Sequence, residues 1–208
     1  MRHPFFKITR NDYKELKKEK GRVQQVFMNC RHFKPQVLFQ VEVLRHMVGR
    51  FLPYREKQFL KRVFDALDEE KDGELEFHEF VQQFHVKFGM QLSVDHMRKM
   101  VASMDLPGTK TGGDGLIQFT EFLVAASDKI SLLTSDNIHK EFKYLDADQD
   151  GVINANDIEK FMYGLEGRDG SRGDLADFEK LLQEIKENNI QGELEDSYVG
   201  AVIDYTTF

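Results

Sequence analysis

Tryptophan is absent from the 208 residues, cysteine is limited to Cys30 and proline to four positions. One thiol cannot build an intrachain disulfide framework and fits a reducing compartment, which points to a cytoplasmic protein. No apolar run approaches the roughly 18 residues of a membrane span, and nothing resembles a signal peptide. Arg2 stands where N-myristoylation requires glycine, which removes that anchor. The opening MRHPFF reads as a Met set on an internal fragment.

What is present is phenylalanine, 18 copies of it, beside few β-branched blocks, and this leans helical. Charge is unevenly spread. Residues 1–62 carry 16 Lys/Arg against 5 Asp/Glu, whereas the remainder carries 13 against 31. A basic segment joined to an acidic body suggests internal docking or a cation-binding acidic part. The basic segment holds no recognisable nucleic-acid reading motif, so nucleic acid is not expected as a partner.

Four glycine-centred polar turns recur, with Gly73, Gly115, Gly151 and Gly192 at their centres. Two residues after each glycine stands an apolar residue: Leu75, Ile117, Ile153 and Leu194. That phase is expected if the loops pair two by two through short backbone bonds at this position. Apolar residues flank each loop at helical spacing, as in Phe59, Leu60, Val63, Phe64 and Leu67 before the first. Eight helices in four hairpins are predicted. Ser127–Ser135 and Gly164–Gly173 read as linkers.

The first loop, DEEKDGELEFHE, places oxygen donors where a twelve-residue cation loop needs them. Asp68, Glu70 and Asp72 fill positions 1, 3 and 5, and Gly73 makes the turn. Glu74 offers its backbone carbonyl, Glu76 acts directly or through water, and Glu79 is the bidentate last ligand. The third loop, DADQDGVINAND, supplies Asp146, Asp148, Asp150, the Val152 carbonyl, Asn154 and Asp157. Its shorter final Asp reaches an ion less easily in bidentate fashion, so weaker Ca²⁺ binding or better tolerance of Mg²⁺ is expected there. Both resemble EF-hand loops, and the fold this predicts is all-α: two EF-hand pairs preceded by a helical segment.

The second unit departs from the pattern. Counting back from Gly115 puts Lys110 at position 1, and a lysine cannot ligate a cation. The other frame starts at Asp105 and carries five extra residues to Glu121. Asp105, Asp114 and Glu121 could then hold an ion with fewer fixed ligands. The fourth frame, from Glu187, ends in Tyr198 and reads as a structural partner loop.

Upstream, residues 36–51 place Val37, Val41, Leu44, Val48 and Phe51 on one helical stripe, with Arg45, His46 and Arg50 keeping the segment basic. A basic amphipathic helix beside acidic lobes suggests helix-in-groove docking, with an ordinary core helix as the competing reading. A membrane-surface role is not favoured.

Several stretches carry a family resemblance. HPFF at 3–6 resembles the closing segment of a protein kinase domain. FLPYREKQFLKRVFDALD at 51–68 and LVAASDKISLLTSDNIHKEFKYLDADQDGVI at 123–153 resemble the calmodulin-like regulatory domain of calcium-dependent protein kinases of plants and protists. The resemblance implies residues 1–8 as the end of a kinase domain, 9–52 as an autoregulatory junction, and lobes at 53–128 and 129–208. It also implies a Ca²⁺ switch acting on a serine/threonine kinase domain in cis, through the chain's own junction helix. The chain itself carries no HRD, DFG or VAIK motif and no glycine-rich phosphate loop, so it is not expected to be an enzyme. The alternative is a free-standing EF-hand adaptor acting on a separate partner.

Overall fold

The computed structural model describes residues 10–35, 38–89, 93–105, 113–166, 183 and 203–204. The chain forms two compact units, residues 1–34 with 48–129 and residues 35–47 with 130–208. The architecture is all-α apart from very short strands, as the periodicity predicts.

In the first unit, α1 (Arg10–Lys18) and α2 (Lys20–His32) precede two hairpins. The first hairpin is α4 (Tyr54–Leu67), β1 (Glu74–Glu76) and α5 (Phe77–Phe88). The second is α6 (Val94–Met104), β2 (Leu116–Gln118) and α7 (Phe119–Ala126). Local chemistry sets several boundaries. Ser93 accepts the His96 N–H at the start of α6, and Gly89 takes φ +69 to end α5. β1 and β2 pair antiparallel with Leu75 opposite Ile117, the expected position.

The predicted apolar stripes close this unit. Phe59, Leu60, Val63, Phe64 and Leu67 of α4 are buried together with Phe80 and Phe84 of α5 and Phe122 of α7. Phe64 meets Phe122 at 5.5 Å and Phe119 at 5.4 Å between ring centres. Each such ring contributes about 2–3 kcal/mol by leaving water. α2 packs on α6 and α7, burying Val23, Val26, Phe27 and Cys30, with Phe27 at 4.9 Å from Phe84. Residues 36–51 stand out in the sequence as an amphipathic stripe, whereas this helix is not expected there.

In the second unit, α9 (Ser135–Leu145), β3 (Val152–Ile153) and α10 (Ala155–Glu166) form the third hairpin. Thr134 caps α9 by accepting the Asn137 N–H at 3.3 Å. The helix α3 (Leu38–Phe51) contributes its first part, through Met47, to this unit. His46 on that part is buried and hydrogen-bonds through Nδ1 to Glu141 of α9, whose exposure is 0%. Its ring stacks on Tyr144 at 4.5 Å and meets the edge of Phe161 at 5.3 Å. Along the stripe expected on α3, Val41 and Val48 are buried and Leu44 and Phe51 half-buried, while Val37 lies outside the described residues.

One expectation is corrected here. Ile153 pairs with Ile203 of β4 (Ile203–Asp204), not with Leu194. Leu75, Ile117 and Ile153 each stand two residues after a loop glycine, but the pairing places the fourth partner nine residues further along than Gly192 suggests. The frame Glu187–Tyr198 lies outside the described residues, as do HPFF and the linker 167–173. The short helix α8 (Lys129–Leu132) falls inside the linker expected at Ser127–Ser135.

Candidate metal centre

Each loop begins where an incoming helix runs out of partners for its last carbonyls, and ends where an outgoing helix needs acceptors for its first N–H groups. Acidic side chains answer the second need. In the first loop Asp68 is 2% exposed, and its Oδ2 accepts the Gly73 N–H at 3.2 Å while Oδ1 accepts Lys71 N–H at 2.6 Å. Asp72 accepts the Glu74 N–H at 3.0 Å. Glu79, 3% exposed, accepts the Glu69 N–H at 2.8 Å with Oε1 and the Glu76 N–H at 3.1 Å with Oε2. Glu76 and Glu79 form a reciprocal capping box at the start of α5, so the poor N-capping residue is compensated by its neighbour three places on.

The third loop repeats these bonds. Asp146 accepts Gly151 N–H at 3.0 Å and Asp150 N–H at 3.1 Å, and Asp150 accepts Val152 N–H at 2.9 Å. Asp157 is fully buried, and despite its shorter side chain spans the loop, accepting Ala147 N–H at 3.3 Å and Asn154 N–H at 3.0 Å. Asn154 in turn accepts the N–H of Asn156 at 2.9 Å and of Asp157 at 3.3 Å. Gly73 and Gly151 take φ +94 and +89, a backbone that a side chain would strain.

Between the two frames considered for the second hand, the bonds follow the one that starts at Asp105. Its carboxylate accepts the N–H of Gly115 at 2.8 Å and of Gly113. Asp114 accepts Leu116 N–H at 2.9 Å, and buried Glu121 accepts Gln118 N–H at 2.9 Å. These are the same contacts that Asp68, Asp72 and Glu79 make in the first hand. Residues 106–112 of the insertion lie outside the described residues.

The loops differ in how their acids converge. One carboxylate oxygen from each of Asp146, Asp148 and Asp150 lies within 4.8 Å of the others. Among the described residues this is the one such trio. Three hard anionic oxygens at this separation suit a hard cation such as Ca²⁺ or Mg²⁺, and repel one another without a positive charge. In the first loop Glu70, Asp72 and Glu76 are exposed, as Asp148 and Asp150 are in the third, and lysines enter beside the acids. Lys71 donates through Nζ to the Asp65 and Asp68 carbonyls, and Lys87 donates to the Ala66 carbonyl at 2.5 Å. Burial draws the Lys87 ammonium below the usual lysine range, and Glu69 is the strongest pull back up. Burial likewise raises the Asp68 carboxyl, opposed by the Lys71 N–H and the Lys71 charge. Neither lysine belongs to the ligand pattern, so the spacing of the acids does not point to them. Lys71 stands inside the loop, but the position reached by Lys87 depends on how α5 packs on α4.

Two comparisons with known proteins bear on this geometry. Residues 138–162, which hold the third loop and parts of both its helices, match the family model described as EF hand. Calcium-dependent protein kinase 22 of Arabidopsis thaliana is 25% identical over 143 residues, covering 69% of this chain and 26% of the relative. Calcium-dependent protein kinase 4 of Plasmodium berghei (strain Anka) is 25% identical over 179 residues, covering 80% of this chain and 31% of the relative. The chain thus spans about a quarter to a third of the length of the curated relatives it matches. The resemblance read from the sequence holds: residues 138–162 match the EF hand, and the chain is similar to calcium-dependent protein kinases.

Proposed function

We propose that this chain is a Ca²⁺-sensing regulatory region that switches on a serine/threonine kinase domain carried in cis. The observation that carries the reading is the Asp146–Asp148–Asp150 convergence, in the loop where the EF-hand family model matches. Asp146, Asp148, Asp150, the Val152 carbonyl, Asn154 and Asp157 hold the ion in the third loop, where Mg²⁺ is tolerated beside Ca²⁺. Asp68, Glu70, Asp72, the Glu74 carbonyl, Glu76 and Glu79 hold it in the first. The second hand takes an ion weakly through Asp105, Asp114 and Glu121. A bound divalent ion supplies the positive charge that lets these carboxylates stand close together.

The chain's own residues supply the switch. Position 1 acids end the incoming helix and position 12 acids belong to the outgoing one, so an ion held by both would set the angle between the two helices. A change of that angle alters the apolar surface each lobe offers. The segment 9–52 responds as the autoregulatory junction, with residues 1–8 the end of the kinase domain and 53–128 and 129–208 the lobes. The relatives' names, which join calcium dependence to kinase activity, support this reading, as does their greater length. The setting is cytoplasmic, and membranes are not needed; no helix among the described residues is long and apolar enough to cross one.

Calorimetric Ca²⁺ titration of the chain tests the sites. Asp146→Ala should abolish one binding event and Glu79→Gln should weaken another by about a hundredfold, the scale of losing a principal ligand. An unchanged titration after both substitutions would overturn the assignment. For the switch, Ca²⁺ should raise hydrophobic-dye binding and alter hydrodynamic size in the same concentration range.

A further inference from the structure

The last carbonyls of α4 have no partner within the helix, and the negative end of its dipole faces the first loop. Two ammonium groups meet them. Lys71, fourth in the loop, takes φ +60, and this left-handed backbone accompanies a side chain that turns back to the Asp65 and Asp68 carbonyls. Lys87 reaches across from α5 to the Ala66 carbonyl. Both positive charges therefore lie beside the loop's own acids: Lys71 acts on Asp68, and Lys87 on Glu69, Glu79 and Asp68.

The third hand is built without them. Residues 146–157 contain no lysine or arginine. The fourth position there is Gln149, with the same left-handed backbone at φ +62. Counting nineteen residues from the first loop residue, as Lys87 is from Asp68, reaches Leu165. Backbone conformation is shared at the fourth position, but the charge is not.

We propose that Lys71 and Lys87 form an electrostatic brake on the first loop, holding its divalent-cation affinity below what its carboxylates alone would give. A divalent ion placed between Asp68 and Glu79 is repelled by both ammonium groups, and each must lose part of its attraction to these acids when the ion arrives. The brake also ties the incoming helix to the outgoing one through Lys87, so a change of helix angle must break that bond. The first hand then responds at higher Ca²⁺ than its ligand set implies, which grades the response of the whole chain. This rests on the reading of Asp68–Glu79 as a Ca²⁺ loop.

The test is calorimetric Ca²⁺ titration of the full chain carrying Asp146→Ala and Asp105→Ala, so that the third loop and the second hand are silent. Adding Lys71→Gln and Lys87→Leu should tighten the remaining first-loop binding by about three- to tenfold, and the gain should shrink as salt is raised. Lys71→Arg, which keeps the charge, should leave the affinity at the parent value. Lys71→Gln alone, a change at an exposed position, should give part of the gain if Lys87→Leu proves poorly folded by circular dichroism. First-loop binding that is present but unchanged or weaker in folded Lys71→Gln overturns the brake alone. Absence of first-loop binding from the parent and from every variant overturns the brake together with the assignment of the loop.

Discussion

The first and third hands share almost every backbone hydrogen bond, yet they handle charge in opposite ways. In the third, three aspartates converge within 4.8 Å and no basic side chain belongs to the loop. In the first, two lysines cap the incoming helix and sit against the loop acids. Loop geometry is therefore set by the recurring N–H to carboxylate bonds, which both sequences satisfy. The electrostatics are set by residues whose role in that geometry is minor. Matching a twelve-residue pattern says where a cation can sit; the neighbours decide how strongly it is held.

The helices drawn from the N-terminal part show a parallel contrast. α2 meets the first unit through an apolar face, whereas the start of α3 meets the second through a buried histidine–glutamate bond. Phe27→Ala should destabilise the first unit by about 3–4 kcal/mol, the cost of a lost ring and its cavity. His46→Leu should cost the second unit about 3 kcal/mol, because the imidazole no longer meets the buried Glu141 carboxyl. The distinguishing measurement is the double change His46→Leu with Glu141→Leu, read by denaturant unfolding. It should recover much of the loss, whereas no second change at a single Phe27 contact should do so. Equal, additive losses at His46 and Glu141 would mean that the pair is not a unit.

A smaller effect should follow pH in the first unit alone. Lys129, the first residue of α8, is half-buried, donating to the Val124, Ala125 and Ser127 carbonyls and to Ser127 Oγ, with Cys30 beside it. Burial draws its ammonium down to about 8 from 10.5, and pushes the Cys30 thiol up to about 12 from 9.0. Between pH 8 and 9 the unfolded chain holds a proton on Lys129 that the folded chain has lost, so stability rises with pH. Above pH 9 the unfolded chain loses the Cys30 proton that the folded chain keeps, which offsets the gain up to about 10.5 and then lowers stability. Unfolding measured across this range should climb by roughly 1 kcal/mol and then level. With Cys30→Ala the climb should continue to about 10.5, and a flat profile in both proteins would dispose of the coupling.

The smallest change sharpens the comparison of the loops. Gln149→Lys places a positive charge at the fourth position of the third loop, where the backbone already matches that of Lys71. Ca²⁺ affinity of that loop should fall by about two- to threefold, less than the combined effect of Lys71 and Lys87, because only one charge is introduced. Titration with Glu79→Gln in the background isolates the effect.

Much of this was legible in the chain as written. The period of the Phe-rich stripes, the glycines at positive φ and the acids at fixed offsets are local signals, so they gave the first three hairpins and two loop frames directly. Local signals could not choose between Lys110 and Asp105 in the second hand, because a five-residue insertion breaks the count. The choice fell to the N–H groups of Gly113 and Gly115, which Asp105 reaches across the loop. Nor could they find the partner of Ile153. Two-residue strands carry almost no pattern, and pairing with Ile203 is fixed by contacts some fifty residues apart in the chain. The same holds for α2 on the first unit, whose apolar face is ordinary until the helices it meets are in place. The acids of the first loop are thus written in the sequence, but the charges that face them are a tertiary property. An ammonium on the outgoing helix acts on the loop only once packing has carried it there, since electrostatic influence depends on distance in space and not along the chain.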